Sequence, residues 1–497
     1  MLDEPLLIRA DGSPEIGTGH VMRCLAIAQA WQAEGGSVYF LGEITGALES
    51  RLRDEGITLH ALESTPGEKN DALEAARKAQ TLGASWVVVD GYHFDGSYQH
   101  RLREEGVRVL FLDDYGHADY YEADLVLNQN IDAEEALYSN RSEDTDLLFG
   151  PRYAVLRKEF WPWRESRRTP QPEANRVLVT LGGADPDNCT ELAVGAVGRL
   201  DREDLRCTVV IGGSNPNESS IAAAAERTDV SVDLRSNVND MASLMAEHDI
   251  AVSAGGSTCW ELAFMGIPNV ILVLADNQRG IADRLDEEGT AVNLGWHESV
   301  GEEEIAHQVA QLIREDDQRH RMARKAQKLV DGWGTNRVVS RMRDRLFLRP
   351  VRETDCETLW HWANDPKVRE RAYNSEPIPW EEHLKWFREK LEGDATIYIA
   401  EKSGRPVGQI RFDFEDSAGM VDVSVDSEER GCGYGTELIR RGTQRFLQDT
   451  GADNAVAYVK VSNHPSRRAF EKAGYNLEKK EEFEGEESFV LRRYLNS

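Results

Sequence analysis

Short apolar segments alternate with longer amphipathic ones from the N-terminus to about residue 130, and this alternation restricts the fold more than any other feature. The apolar segments have the length of strands, and the segments between them have helical spacing. Strands are predicted at residues 6–10, 38–42, 86–90, 107–113 and 124–128. Strands separated by helices favour right-handed crossovers, so we predict a mostly parallel sheet.

A second alternating series follows a connection rich in proline and charge, FWPWRESRRTPQPEAN. Its strands are predicted at residues 176–183, 207–213, 230–235, 250–256, 269–275 and 290–295. Two doubly wound halves in tandem bind ligands in the cleft between them, near the carboxyl ends of the strands. We therefore predict one lobe over residues 1–160 and a second over residues 161–343.

The pattern changes after residue 345. One strand and two helices precede three consecutive strands, TIYIAEK, RPVGQIRFDF and MVDVSVD, and a glycine-led helix follows. At 497 residues the chain exceeds the ~250–300 residues that one hydrophobic core supports. We therefore predict a separate α+β domain over residues 346–497, within a chain that is α/β overall.

The formal net charge of −30 bears on the partners of the chain. A strongly acidic surface repels nucleic acid and anionic membranes, so we expect neither as a partner. The charge fits either an ordinary solvated surface or adaptation to high salt. Six scattered cysteines without a CxxC pair, an acidic N-terminus and the lack of a long apolar run predict a cytoplasmic protein with reduced thiols.

A glycine loop, GTGHVMR, follows the first predicted strand and begins a helix. Gly17 and Gly19 allow a tight turn, and the helix N-terminus attracts anionic or polar groups. His20 would face the cleft at the strand ends, where its imidazole can accept a proton near neutral pH. The alternative is a histidine that only caps or packs, and the glycine pattern is not a complete GxGxxG fingerprint.

Two segments of the second half indicate a nucleotide site. Gly182 and Gly183 in VTLGGADPDN can bring backbone amides against a diphosphate, as can the turn that precedes Thr258 in VSAGGSTCWELAFMGIP. Glu261 lies one helical turn further on and can accept hydrogen bonds from ribose hydroxyls. The turn before Thr258 consists of Gly255, Gly256 and Ser257. The alternative is that both segments are ordinary strand-to-helix turns.

GGSTCWELAFMGIP and the tandem halves resemble the GT-B family, in particular the lipid-II-forming N-acetylglucosaminyltransferases. The motifs RADGSPEIGTGHVMRCLAIA, VVVDGYHFD, LFLDDYGH, LLFGPRYAVLR, TLGGADPDN and LVLADNQ more specifically resemble the UDP-sugar hydrolase of pseudaminic acid synthesis, over about residues 5–340. That resemblance implies hydrolysis of UDP-2,4-diacetamido-2,4,6-trideoxy-β-L-altropyranose to UDP and the free sugar.

The same resemblance implies roles for single residues. His20 would activate or orient the attacking water, Tyr92 would line the sugar pocket, and Asn277 would hold the sugar or its phosphate. Ser257, Thr258 and Glu261 would bind the nucleotide. The diphosphate is already a good leaving group, so we expect that no metal is required.

EERGCGYGTELIRRG and AVAYVKVSNHPSRRAFEKAGY carry the signals of the third domain. Both follow strands, and the first can present backbone amides to a pyrophosphate, although a glycine-rich surface turn would look similar. Together they resemble the GNAT N-acetyltransferases over roughly residues 346–497. The resemblance implies that acetyl-CoA is held by Arg430, Gly431, Gly433, Gly435 and Asn463.

One position departs from the GNAT pattern. Many members of that family place a tyrosine in the helix after Asn463 to protonate the leaving thiolate, whereas Phe470 stands there in this chain. Tyr475 or water is left as the possible general acid.

Taken together, these resemblances predict a bifunctional enzyme of bacterial nonulosonic acid synthesis. The third domain would acetylate the 4-amino group of a UDP-linked sugar, and the first two lobes would release UDP from the product. Its partners would be the UDP-sugar and acetyl-CoA. The alternatives are a GT-B glycosyltransferase joined to a protein Nα-acetyltransferase, and a sugar-nucleotide sensor in which one unit is inactive.

Overall fold

A computed structural model of the chain describes residues 4–12, 18–200, 202–402, 405–415 and 418–494. The chain divides into two compact units, Met1–Met342 and Arg343–Ser497. The first unit contains two lobes, each built on its own parallel sheet, and the second unit has a mixed sheet. The predicted fold class, two Rossmann-like lobes followed by an α+β domain, is confirmed.

The first lobe is a seven-stranded parallel sheet in the order β3-β2-β1-β4-β5-β6-β7. Strands β1 and β4 are buried along their whole length, as expected for central strands covered on both faces. The strand order reverses between β1 and β4, which opens a crevice at their carboxyl ends. The elements are β1 (Leu6–Ala10), α1 (Gly19–Ala33), β2 (Val38–Leu41), α2 (Ala47–Asp54), β3 (Thr58–His60), α3 (Lys69–Leu82), β4 (Trp86–Asp90), α4 (Gly96–Glu104), β5 (Arg108–Leu112), β6 (Leu125–Asn128) and β7 (Asp146–Phe149).

The second lobe repeats this arrangement with six parallel strands in the order β10-β9-β8-β11-β12-β13. The corresponding crevice opens between β8 and β11. The elements are β8 (Arg176–Thr180), α5 (Cys189–Gly198), β9 (Arg206–Ile211), α6 (Glu218–Glu226), β10 (Ser231–Ser236), α7 (Met241–Ala246), β11 (Ile250–Ala254), α8 (Thr258–Met265), β12 (Asn269–Val273), α9 (Arg279–Glu287), β13 (Ala291–Trp296), α10 (Glu302–Arg314), α11 (Asp316–Leu329) and α12 (Gly334–Met342).

The last helix of this unit, α12, packs against the first lobe. Val338, Val339 and Met342 are fully buried in the core that the first lobe builds around β1 and α1. The Thr335 hydroxyl accepts a hydrogen bond from the Leu156 amide and donates one to the Leu156 carbonyl. The chain therefore passes between the lobes twice.

The second unit has a seven-stranded sheet in the order β14-β15-β16-β17-β18-β20-β19. Among the described residues of this sheet, β17 and β18 form the only parallel pair, which covers three residue pairs, the last being Met420 with Val456. The elements are β14 (Phe347–Pro350), α13 (Cys356–Ala363), α14 (Pro366–Arg371), α15 (Trp380–Glu392), β15 (Thr396–Lys402), β16 (Arg405–Glu415), β17 (Ala418–Val425), α16 (Tyr434–Thr450), β18 (Asn454–Lys460), α17 (His464–Lys472), β19 (Asn476–Phe483) and β20 (Glu486–Tyr494).

All six cysteines are free thiols, and five of them are buried. Within the part of the chain that the structure describes, no helix is both long enough and apolar enough to cross a bilayer.

Candidate functional site

The crevice of the first lobe holds His20 in the first turn of α1. Its Nδ1 lies 2.6 Å from Oδ1 of Asp90, the last residue of the buried strand β4. An ionised carboxylate only accepts hydrogen bonds, so Nδ1 carries the proton and donates it to Asp90. The lone pair of the ring is then on Nε2, where it can accept a proton from a water molecule. Gly19, predicted to lie in the turn, is the first residue of the helix, and Gly17 lies outside the described residues.

Asp90 is held in its ionised form by its neighbours. Its side chain is fully buried and also accepts hydrogen bonds from Arg23 Nε at 2.5 Å and Nη2 at 2.6 Å. Burial alone would raise the pKa of Asp90, but the charge of Arg23 and the interaction with His20 outweigh it and hold this pKa well below its usual range. The arrangement fixes the orientation and tautomer of the imidazole.

Tyr92 connects this group to the opposite lobe. Its hydroxyl donates to Asp114 Oδ2 at 2.6 Å and accepts a hydrogen bond from Asn277 Nδ2 at 3.1 Å. The Tyr92 ring lies edge-on to His20, with 4.8 Å between the ring centroids. Asp114 also accepts from Arg23 Nη1 at 2.7 Å. The structure therefore brings His20, Tyr92 and Asn277 together.

The cavity at this point has a volume of about 220 Å³ and is lined by both lobes. From the second lobe, Gly255, Gly256 and Ser257 line it, at the N-terminus of α8. A Cβ atom on Gly256 would meet nothing within 4 Å, so the backbone is accessible there. The unpaired amides of the first helical turn can donate to an anionic group in this space.

Four other residues were predicted to bind the nucleotide, namely Gly182, Gly183, Thr258 and Glu261. Gly182 has a φ of 97°, and a Cβ atom on Gly183 would come within 2.8 Å of the Thr18 hydroxyl of the first lobe. Glu261 forms an ion pair with Arg157 at 3.0 Å. Burial raises the pKa of Glu261, and Arg157 opposes that change. Neither these residues nor Thr258 line the cavity.

Asp90, Arg23 and Asp114 were missed by the sequence analysis. Asp90 ends the apolar run WVVVD, and Arg23 follows His20 by one helical turn. The carboxyl ends of adjacent parallel strands meet at one edge of a sheet, where ligands bind. An acidic residue at the end of a predicted strand, such as Asp90, therefore indicates a candidate site residue. Among the described residues, no group of three or more His, Cys, Asp or Glu side chains could hold a metal ion.

The second unit has a cavity of about 690 Å³ where β17 and β18 separate beyond Met420 and Val456. Val421–Val425 of one strand and Tyr458–Lys460 of the other line it. Strands that separate in this way leave backbone groups free to bind an extended ligand.

Three of the five predicted coenzyme residues line this cavity. Arg430, Gly435 and Asn463 line it, and Gly431 and Gly433 have φ values of 90° and 87°, which shape the loop that leads into α16. Arg430 is paired with Asp365 at 2.8 Å. The Asn463 side chain accepts a hydrogen bond from the Ser466 amide and caps α17.

Phe470 lines the cavity, whereas Tyr475 does not. The Tyr475 side chain is 2% exposed, and its hydroxyl lies 2.7 Å from the buried hydroxyl of Thr443. Burial raises the pKa of Tyr475 well above its ordinary value. This placement does not support Tyr475 as a proton donor to a thiolate in the cavity.

Comparisons with known proteins match both units. Residues 176–333 match the family model of the glycosyltransferase family 28 C-terminal domain, and residues 345–476 match the acetyltransferase (GNAT) domain. The acetyltransferase match supports acetyl-CoA as the cosubstrate of the second unit.

Three relatives illustrate the similarity. An uncharacterized protein of Methanocaldococcus jannaschii is 23% identical over 96% of this chain and 97% of its own length. The spore coat polysaccharide biosynthesis protein SpsG of Bacillus subtilis is 25% identical, over 68% of this chain and 97% of that protein. The UDP-N-acetylglucosamine–N-acetylmuramyl-(pentapeptide) pyrophosphoryl-undecaprenol N-acetylglucosamine transferase of Pseudomonas savastanoi is 25% identical, over 68% of this chain and 98% of that enzyme. The chain thus combines a GT-B glycosyltransferase-like unit with a GNAT acetyltransferase domain.

Proposed function

We propose that the chain is a bifunctional enzyme of pseudaminic acid synthesis. The acetyltransferase domain transfers an acetyl group from acetyl-CoA to the 4-amino group of a UDP-linked amino sugar. The GT-B unit then hydrolyses UDP-2,4-diacetamido-2,4,6-trideoxy-β-L-altropyranose to UDP and the free sugar. The two reactions are consecutive, because the product of the first is the substrate of the second.

The observation that carries the hydrolase proposal is the His20–Asp90 hydrogen bond at the mouth of the cleft. A buried carboxylate that fixes Nδ1–H leaves Nε2 as a base for water, and it stabilises the imidazolium that forms when the water loses a proton. The Nε2 atom accepts a proton from a water that attacks the anomeric carbon, and the sugar–phosphate bond breaks as UDP leaves. Backbone amides at the N-terminus of α8 stabilise the departing diphosphate.

The acetyl transfer follows from the second cavity. The loop at residues 430–435 positions the coenzyme diphosphate, and the separated strands accommodate its pantetheine arm. The acceptor amine attacks the thioester carbonyl, the carbon–sulfur bond breaks, and coenzyme A leaves as the thiol after it gains a proton. Holding the amine against the thioester contributes much of the rate.

The test is one incubation of the full chain with acetyl-CoA and the UDP-4-amino sugar. We expect stoichiometric release of coenzyme A thiol, UDP and the free diacetamido sugar. Release of the thiol without UDP would support the acetyltransferase activity and refute the hydrolase activity. Release of UDP from the unacetylated sugar would refute the proposed order of the two reactions.

The glycosyltransferase alternative is favoured by the family 28 match of the second lobe. It predicts that UDP release requires an acceptor sugar and that peptides receive the acetyl group. A sensor without catalytic activity predicts that His20→Ala changes nothing, whereas a hydrolase variant of this kind loses turnover and keeps its UDP affinity.

A further inference from the structure

The cavity of the acetyltransferase domain is basic, although the chain as a whole has a net charge of −30. Six basic residues line it, namely Lys367, Arg369, Arg371, Arg411, Arg430 and Lys460. The acidic residues in its lining are Glu382 and Asp422. An excess of positive charge in one concave site favours an anionic ligand.

Three of these basic residues have carboxylate partners. Arg411 pairs with Asp413 at 2.8 Å, Arg430 with Asp365 at 2.8 Å, and Lys460 with Glu486 at 3.2 Å. Their charges are therefore balanced within the protein.

The other three all lie on the short helix α14, and none of them forms an ion pair with another described residue. Arg369 is the most constrained of the three. Its Nη1 donates to the carbonyl oxygens of Asn374 at 3.2 Å and Glu376 at 3.4 Å, and its buried Nε has no hydrogen-bond partner. The guanidinium is thus held in place by neutral carbonyl groups and has no ion-pair partner.

A partly buried cation without a counter-ion is unfavourable in the unliganded protein. Burial lowers the pKa of Arg369, and the nearby Asp422 only partly opposes that change. A ligand that brings its own negative charge would remove this penalty. Arginine is suited to such a ligand because its planar fork matches phosphate oxygens.

We propose that Arg369, flanked by Lys367 and Arg371, binds the diphosphate of the sugar nucleotide that accepts the acetyl group. The inference rests on the proposed function, since it names the part of the acceptor that the domain recognises. The coenzyme also carries phosphates, but the proposed function assigns its diphosphate to the loop at residues 430–435. The α14 residues therefore select acceptors that are still attached to a nucleotide.

The test measures acetyl transfer by release of the coenzyme A thiol. It uses the full chain in a His20→Ala background, so that hydrolysis does not consume the acetylated product. The acceptors are the UDP-linked 4-amino sugar, the dTDP-linked 4-amino sugar, the free amino sugar and spermidine. We expect the UDP-linked sugar to be preferred over the free amino sugar by at least about 100-fold in kcat/KM.

Arg369→Gln should raise the KM of the UDP-linked acceptor about 10- to 100-fold, because a hydrogen-bonded charge pair is lost. The KM of acetyl-CoA and the kcat/KM of the free amino sugar should stay within about twofold. Arg369→Lys should recover part of the affinity, and Arg371→Gln should show a smaller loss. Lys385→Gln is the matched control, because Lys385 is 80% exposed and lies outside the cavity lining.

The possible outcomes separate the explanations. A rise confined to the KM of acetyl-CoA would assign Arg369 to the coenzyme phosphates. An equal loss of kcat/KM with all acceptors would show that the role of Arg369 is structural. Either result overturns the inference. If the dTDP-linked sugar is preferred and Arg369→Gln raises its KM by the same factor, the diphosphate site is supported and the proposed UDP-sugar function is refuted. Preference for spermidine would refute both.

Discussion

Asn277 of the second lobe donates a hydrogen bond to the hydroxyl of Tyr92 in the first lobe, across the mouth of the cleft. These are the two side chains to which the resemblance to the UDP-sugar hydrolase assigns contacts with the sugar. The cavity behind them, about 220 Å³, is smaller than the ~300–1,000 Å³ of typical ligand pockets. We infer that the bond favours a closed cleft and that a bound sugar replaces it.

Asn277→Ala removes this bond. We expect tighter binding of UDP alone, because closure no longer competes with entry of the nucleotide, and about tenfold lower kcat/KM for the UDP-sugar, because a contact to the sugar is lost. Calorimetry with UDP and steady-state hydrolysis measure the two effects. Asn293→Ala is the control, since the Asn293 amide bonds Asp283 within its own lobe. Unchanged UDP affinity would contradict the proposed closure.

Asp90→Asn preserves the shape of the side chain but removes its charge. We expect kcat for UDP release to fall about 10²- to 10⁴-fold, because the imidazole loses its fixed tautomer and the stabilisation of its protonated form. The UDP affinity should stay within about twofold. Asp95→Asn is the control, because Asp95 caps α4 and asparagine caps equally well. A change confined to KM would reject Asp90 as the residue that positions His20.

Gly433→Ala places a side chain at a φ of 87°. The left-handed conformation costs about 1–2 kcal/mol for residues with a Cβ atom, so the loop should change shape and the KM of acetyl-CoA should rise. Gly451→Ala imposes a similar backbone cost at the other end of the same helix, where φ is 69°. We expect this control to lose stability with an unchanged KM. Equal KM values in the two variants would argue against coenzyme binding by the loop.

Tyr475→Phe tests the possible general acid. Because the hydroxyl is buried against Thr443, we expect the acetyl-transfer rate to change less than about threefold and the stability to fall by about 1 kcal/mol, the net contribution of a buried hydrogen bond. Thiol release and urea denaturation measure the two quantities. A loss of rate of 100-fold or more, without unfolding, would restore Tyr475 as the acid.

The buried carboxyl of Asp11 predicts a pH dependence of stability. Burial would raise its pKa, but the close contacts with His93 and Arg9 outweigh burial and lower this pKa from 3.8 to about 2. A lowered pKa stabilises the folded state above pH 4, and the stabilisation is lost as the pH falls toward 2. Asp11→Asn should therefore be less stable by about 2 kcal/mol at pH 6. Urea denaturation at several pH values should show that the difference narrows below pH 4; a constant difference would contradict the assignment.

The sequence was most informative where burial dictates composition. The apolar runs LLIRA and WVVVD are central strands buried on both faces, and both were predicted at their observed bounds. Two edge strands, Thr58–His60 and Asp146–Phe149, were missed because each is short and begins with a polar residue. The strand Asn476–Phe483 was also missed, because its charged residues face solvent and show no apolar alternation.

The candidate sites were predictable to the extent that local motifs determine them. The glycine turns and His20 lie at strand ends, which the pattern of the chain determines. Asp90 joins His20 through a contact between residues separated by 70 positions, and no local motif encodes such a contact. The placement of Tyr475 also depends on packing, because its hydroxyl meets the side chain of Thr443 on α16, 32 positions away.

The return of α12 to the first lobe has a consequence for dissecting the molecule. A fragment that ends near residue 160 would leave an open groove where Val338, Val339 and Met342 are buried, and it would leave the Leu156 backbone without the hydroxyl of Thr335. Such a fragment would expose apolar surface and aggregate. A circular permutant that places residues 334–342 ahead of residue 4 would instead carry the missing helix. Isolation of the first lobe as a folded fragment therefore requires a change in the order of its segments along the chain.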